Sequence, residues 1–315
     1  MNNFKWQALI LIILALIAFM VTKIKIASFE NSNQTKLNQG LNQVSIVSEK
    51  IAFQADNTDK TSKKTPVRLW DILDPEIVSE AVLIQSLEND FPFFKYNTSK
   101  IWPIASLTKL LTAVVVLEDI GKNKKIPINE SAVLTEGETG DLKSGEIYQA
   151  EDLLKIMLLT SSNDAAAAFE EYLGGKDTAV RVLNNKIAKL GMNQTIVHDA
   201  SGLSDLNEST VNDLLVLLKY IVKNEPEILN WTRLPNFLVQ PLNDPKSRII
   251  NNINGFINDM DFLGGKTGTS PEAKENLAAV FALDKLRTIV ILLGSENRIS
   301  EVKKLLDWTK KAYIF

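Results

Sequence analysis

The chain predicts an α+β fold, an antiparallel sheet flanked by helices with an inserted, mostly helical subdomain. Three observations lead there. Strand-like segments occur near both ends of the folded region, the middle is helical in its hydrophobic period, and the last segment is an amphipathic helix. Strands separated by residues 98 to 275 must come together as one sheet made of distant pieces, with the helices between them as an insertion.

Each element has its own warrant. Residues 80–97, "EAVLIQSLENDFPFFKYN", read as two strands joined by a turn at Glu88 to Asp90. The stretch "PIASLTKLLTAVVVLE" (103–118) is apolar on all sides, so a helix from Ser106 must be largely buried. Lys109 is nevertheless its only charge between Ile101 and Leu117. Two structural explanations are available. Ser106, following Pro103 by three residues, could cap the helix, and Lys109 could lay its methylenes on the core and bring its ammonium to the surface.

Residues 150–230 are mostly helical in period, with "EDLLKIMLLT", "DAAAAFEEYLGG" and "VNDLLVLLKYIVKN" as the clear segments; the glycine pair suits a C-cap. Residues 276–295 give two apolar strands around Asp284 and Lys285. "SEVKKLLDWTKKAY" closes the chain as an amphipathic helix, with Ser300 as its cap and Glu301 in its first turn. There is no internal repeat.

Ahead of the folded region, residues 6–22 form an uncharged apolar run of 17, at the short end of what crosses a bilayer. No small-x-small site closes the run, so residues 1–26 read as an uncleaved transmembrane signal anchor. Lys5 on one side and Lys23 and Lys25 on the other leave its orientation undecided by charge. Residues 27–65 are polar and poor in large apolar side chains, which predicts a stalk, and the folded domain is expected over 66–315. The first 68 residues hold nine Lys or Arg against four Asp or Glu; the remainder holds 26 against 34. The basic part would be drawn to anionic lipid, and the acidic folded part argues against nucleic acid as a partner.

At 315 residues, 45% hydrophobic and 23% charged, the composition is that of an ordinary globular protein and names no function. The absence of cysteine removes disulfides, thiolate catalysis and zinc–thiolate sites. His198 is the only histidine, so a histidine-rich metal site is excluded, and any serine nucleophile takes its base from His198 or from another residue type. Gly-x-Ser-x-Gly is absent, and His198, between Val197 and Asp199, reads as a hydrogen-bonded structural residue.

Three short motifs then appear in one order. Ser-x-x-Lys occurs at Ser106–Lys109 and again at Ser300–Lys303; Ser-x-Asn occurs at Ser161–Asn163 and at Ser295–Asn297. Lys-Thr-Gly occurs once, at Lys266–Gly268, where average residue usage predicts about 0.07 copies. Only Ser106, Ser161 and Lys266 fall in the order that penicillin-binding proteins and the related β-lactamases require.

On these motifs, and on "ASLTKLLTA", "LLTSSNDAAAAFEEYLG", "HDASGLSDLNESTVNDLLVLL" and "GGKTGTSPEAKENLAAVFA", residues 68–315 resemble the D-alanyl-D-alanine carboxypeptidases of serine peptidase family S11, low-molecular-mass penicillin-binding proteins. Two departures are visible. Ser162 stands where the family usually has glycine, and nothing after Phe315 corresponds to the further β-domain and terminal amphipathic anchor of many members, which is consistent with anchoring from the amino end.

The resemblance implies a β-lactamase/transpeptidase-like fold and a serine peptidase that needs no cofactor or metal. It acts on the D-Ala-D-Ala end of the peptidoglycan stem peptide and is acylated by β-lactams. Ser106 would be the nucleophile. Lys109, one helical turn away, in an apolar setting and near a second cation, would be its base. The backbone N–H groups of Ser106 and Thr269 would bind the oxyanion. Ser161 would relay the proton to the leaving D-alanine, Asn163 would hold the substrate amide, and Lys266 and Thr267 would bind the terminal carboxylate. Gly264, Gly265 and Gly268 would let substrate approach that edge strand. Taken alone, Ser161 and Asn163 could equally cap the following helix.

Because peptidoglycan lies outside the cytoplasmic membrane, the folded domain is expected there, on a single-pass anchor. Three rivals are kept. A class A β-lactamase would need a deacylating glutamate, which "EPEILN" (225–230) imitates with one residue too many and 62 positions after Asn163. A D,D-endopeptidase would use the same residues on cross-links. A silent peptidoglycan-binding scaffold would have little reason to keep a lysine in a buried helix.

Overall fold

A computed structural model describes residues 65–284 and 286–315. The expected anchor and the stalk up to residue 64 lie outside the described residues. No helix among the described residues is long and apolar enough to cross a membrane.

The sheet has five strands, β1 (Ala81–Ser86), β2 (Pro92–Tyr96), β3 (Phe262–Ser270), β4 (Lys274–Leu283) and β5 (Leu286–Ser295). Their spatial order is β3-β4-β5-β1-β2, antiparallel throughout, so the first two strands join β4 and β5 as the sequence predicts, and β3 adds an edge strand beyond them. The central strands are apolar without a polar alternation because both faces of the sheet are covered. Val82, Ile84, Leu277, Ala279, Phe281, Val290 and Leu292 share one core with Val302 and Leu305 of the C-terminal helix. Their neighbours Ala81, Leu83, Ala278, Val280, Ile289, Ile291 and Leu293 belong to the core shared with the helical side.

The helical side begins with α1 (Thr108–Val115), preceded by a 3₁₀ turn at Ala105–Leu107 and followed by a π-helical turn at Val116–Ile120. All eight residues of α1 are buried, as its all-round apolar character requires. After it come α2 (Ala150–Leu159), α3 (Asn163–Tyr172), α4 (Lys176–Leu190), α5 (Val211–Asn224) and α6 (Glu227–Thr232). Helix α7 (Arg298–Ala312) covers the other face.

The expected cap at Ser300 and the alternative capping readings of Ser106 and of Ser161 or Asn163 are corrected. Ser106 caps nothing: it lies inside the 3₁₀ turn, and neither that turn nor α1 has a side-chain cap. The cap of α3 is neither Ser161 nor Asn163 but Ser162, whose Oγ accepts from the Ala165 N–H at 2.9 Å. Helix α7 starts before Ser300, so Asn297 is the cap and Ser300 supplies the N–H that Asn297 Oδ1 accepts at 2.9 Å.

Candidate active site

The position of Ser106, the candidate nucleophile, is set by the chain that leads into α1. Trp102–Pro103 pairs with Glu208–Ser209, and the Ile104 N–H donates to the Asn207 carbonyl at 2.8 Å. The chain then turns through Ala105 at φ 45°, a left-handed conformation uncommon outside glycine. This turn leaves Ser106 half-buried while its neighbours sink into the core.

Lys109 does not reach the surface; it is 0% exposed. Its Nζ donates to Ser106 Oγ at 2.9 Å, Asn163 Oδ1 at 2.8 Å and the Ser201 carbonyl at 2.6 Å. Burial pushes its pKa down to about 7, against the opposing pull of Asp199, Glu138 and Asp164. A neutral amine keeps two N–H donors and one lone pair. Asn163 and Ser201 offer only acceptors, so they take the two donors, and the lone pair is left for the Ser106 hydroxyl.

The second cation expected beside Lys109 is Lys266, but the effect of one cation on the other falls on Lys266. Burial, then Lys109 and Arg298, hold Lys266 well below the ordinary lysine range, with Glu138 opposing. Lys266 is 2% exposed, and its Nζ donates to Ser161 Oγ at 3.0 Å and to the Thr267 carbonyl at 2.7 Å. Each lysine therefore engages one serine. Ser161 itself sits at φ 60°, a second left-handed non-glycine residue in the site.

Asn163 is held on both ends. Its Nδ2 donates to the Glu136 carbonyl at 2.9 Å while Oδ1 accepts from Lys109, leaving one Nδ2 proton for a ligand. Its backbone N–H donates to the Glu138 carbonyl at 2.7 Å, which brings the acidic loop at 136–138 to the site.

Strand β3 is an edge of the sheet, and it runs close against the turn that carries Ser106. A Cβ on Gly268 would lie 2.7 Å from the Ile104 carbonyl oxygen and 3.2 Å from the Ser106 nitrogen. A Cβ on Gly264 would lie 2.4 Å from the Leu229 carbonyl oxygen. At both positions the missing Cβ makes room for the protein's own backbone. Leu229 belongs to α6, the segment that imitates a deacylating loop; its Glu227 pairs with exposed Lys122 at 2.8 Å.

Two contributors escape the sequence reading. Arg298, first residue of α7, donates Nη1 to the Gly268 carbonyl at 2.9 Å and to Thr269 Oγ1 at 2.8 Å. A cation in the first turn opposes the helix dipole, and that misplacement is the signal that could have found it. The "HDASGL" loop (198–203) supplies the Ser201 carbonyl to Lys109. His198 stands apart: its side chain is exposed, and its backbone N–H donates to Asn207 Oδ1 at 2.7 Å. Among the described residues, no group of His, Asp and Glu is placed to hold a metal ion.

The arrangement combines a hydroxyl in contact with a buried lysine, a second Ser–Lys pair, and an edge strand bearing Thr267 and Thr269 with Arg298 of α7 against it. That edge suits an anionic group, and the paired serines suit acyl transfer with a proton carried across.

A family model described as D-alanyl-D-alanine carboxypeptidase matches residues 74–297. The chain is similar to the D-alanyl-D-alanine endopeptidase of Pseudomonas aeruginosa, at 28% identity over 77% of this chain and 80% of that one. It is similar to the D-alanyl-D-alanine carboxypeptidase DacF of Bacillus subtilis, at 28% identity over 74% of this chain and 62% of that one. Among solved structures, a D-alanyl-D-alanine carboxypeptidase from Mycobacterium tuberculosis superposes with a TM-score of 0.69 at 25% identity, covering 77% of this chain and 95% of that one.

Proposed function

The chain belongs to the D-alanyl-D-alanine carboxypeptidase family of serine peptidases, S11, and on that premise we propose that it removes the terminal D-alanine from peptidoglycan stem pentapeptides through an acyl-enzyme on Ser106. The observation that carries this is the Lys109 Nζ to Ser106 Oγ contact of 2.9 Å, made by a lysine whose other contacts are both acceptors.

Neutral Lys109 takes the hydroxyl proton as Ser106 Oγ bonds to the carbonyl carbon of the D-Ala-D-Ala amide. The oxyanion is received by the backbone N–H groups of Ser106 and Thr269, each such donor contributing about 3–4 kcal/mol in comparable sites. The C–N bond breaks as the proton passes by way of Ser161 to the leaving nitrogen, and D-alanine departs. Water then attacks the ester, with Lys109 accepting its proton and returning one to Ser106. Asn163 orients the substrate amide with its remaining Nδ2 proton.

The terminal carboxylate lies on Thr267, Thr269 and Arg298. Lys266, engaged with Ser161, contributes its field from behind Thr267 and Gly268 rather than a direct contact. A β-lactam amide enters the same site and acylates the same oxygen. Residues 1–26 anchor the enzyme in the cytoplasmic membrane, residues 27–65 act as the stalk, and residues 66–315 work on the outer side, where peptidoglycan lies. A reporter fused after Phe315 and active only in the cytoplasm would overturn that orientation.

The test is D-alanine release from a pentapeptide ending in D-Ala-D-Ala by the full chain and by folded Ser106→Ala, with a cross-linked peptide dimer as a second substrate. Release by the first protein alone supports the proposal. Cleavage of the dimer alone would make it an endopeptidase, the activity named for the Pseudomonas relative. Neither reaction, in folded protein, would leave a wall-binding scaffold.

A further inference from the structure

Asp199 is a buried carboxylate, 5% exposed, to which the mechanism assigns nothing. The loop after it folds around its two oxygens. Oδ1 accepts from the N–H groups of Ser201 at 2.8 Å and Gly202 at 2.5 Å and from Ser201 Oγ at 3.0 Å, and Oδ2 accepts from the Ser204 N–H at 2.6 Å.

The consequence follows from the planarity of the trans peptide, in which N–H and C=O point in opposite directions. The Gly202 N–H and the Ser201 C=O belong to one peptide unit, so a hydrogen bond from the first to Asp199 aims the second away from it. The Ser201 oxygen meets Lys109 Nζ at 2.6 Å. The preceding unit behaves likewise: the Ser201 N–H faces Asp199, and the Ala200 carbonyl accepts from Thr112 Oγ1 of α1 at 2.7 Å. Two consecutive peptide units therefore bridge Asp199 to the helix that carries the base. Gly202, at φ 85°, makes this possible, because a Cβ there would lie 2.0 Å from the Ala105 carbonyl oxygen.

We propose that Asp199 is a positioning residue for Lys109: it holds the Ser201 carbonyl against the lysine and supplies the negative charge beside which the buried amine works. This rests on the reading of Lys109 as the base for Ser106. Lys109 also feels Glu138 and Asp164, and it acts on Lys266 from across the site. Among the carboxylates, Asp199 acts on it most strongly. Glu138 is exposed, and Asp164 is tied to the Thr139 hydroxyl and the Gly140 N–H. Asp199 alone joins charge and position in one group.

The experiment follows acylation of the full chain by a chromogenic β-lactam against pH, for the unaltered protein, Asp199→Asn and Asp199→Glu. Removing the charge lowers the pH at which Lys109 loses its proton, so the midpoint of D199N moves down by roughly half a pH unit or more. Misplacing the carbonyl lowers the plateau by about tenfold. D199E keeps the charge and hence the midpoint, but its longer side chain cannot hold both peptide units, so its plateau falls. The midpoint does not depend on how much of a preparation is folded. A D199N midpoint equal to that of the unaltered chain overturns the electrostatic role. Should D199N not fold, a D199E plateau equal to the unaltered one overturns the positioning role. No acylation of the unaltered chain would sink the reading of Lys109 itself.

Discussion

Lys109 places opposite demands on fold and chemistry, since burying an amine disfavours its charge and that same penalty makes it a base near neutral pH. Its pKa of about 7 gives the first expectation. Below that pH the amine is protonated and has no lone pair, so β-lactam acylation of Ser106 should be lost as pH falls and level off above it. A rate that stays flat from pH 5 to 9 would show that Lys109 is not the titrating base. Gly268 carries a second expectation. Its missing Cβ leaves room for the Ile104 oxygen, which a Cβ would meet at 2.7 Å, and Gly268→Ala would force β3 away from the turn that carries Ser106. Acylation should fall by about a hundredfold, the penalty of a displacement near 1 Å in a catalytic constellation; an unchanged rate would mean the turn yields instead. Both residues are readable as motif members. Their physical tasks were less so, because "KTG" does not reveal whether its glycine faces a ligand or the protein's own backbone.

Element starts show where sequence reasoning was weakest. Periodicity locates helices well, but Ser162, Asn297 and Ser300 differ by geometry that a sequence does not display. Ser162 caps α3, and its Oγ also meets the Asp164 carboxylate, which accepts from the Thr139 hydroxyl and the Gly140 N–H. Ser162→Ala should cost about 1 kcal/mol, the usual worth of a lost cap, and Ser162→Gly only a few tenths. Urea unfolding decides this, and equal stability of Ser162→Ala and the unaltered chain would deny the cap. Strand β3 was visible only through its motif, since three glycines within Phe262–Ser270 dilute any strand pattern. Arg298, at the start of α7, is hidden because the Ser-x-Asn copy before it falls outside the required motif order. Arg298→Gln should raise KM about tenfold for a peptide with a free terminal carboxylate. The same peptide with an amidated terminus should not distinguish the two enzymes. A KM equally raised for both would remove Arg298 from carboxylate recognition.

At the scale of the whole molecule, the sheet is closed by strands far apart in sequence, and something must fasten their ends. Glu301 of α7 is placed to do so. It is 7% exposed, and its Oε1 accepts from the N–H groups of Val78 at 2.9 Å and Ser79 at 3.0 Å, in the segment entering β1. Its Oε2 accepts from Ser79 Oγ at 2.6 Å and from Ser295 Oγ, at the end of β5, at 2.5 Å. The apolar runs predict that residues 80–97 and 276–295 share one sheet, but not this clasp, because a glutamate in a first helical turn already has a sufficient local explanation in the dipole. Burial pushes its carboxyl up, yet the donors from Ser295, Ser79 and Val78 outweigh burial and hold it below the ordinary glutamate range. A carboxylate whose pKa is lower in the folded chain contributes stability above its unfolded value of about 4.3 and loses it as pH falls through the folded value. The unfolding free energy should therefore decline on acidification below about pH 5. Glu301→Gln should be less stable than the unaltered chain at pH 7 by about 1.5–3 kcal/mol, the usual worth of hydrogen bonds to a charged group, and should show a shallower decline over the acid range. Urea titrations of the two proteins at pH 7, 5 and 3.5 measure both quantities. Parallel declines in the two proteins would place the acid sensitivity elsewhere and leave Glu301 as a neutral filler of its pocket.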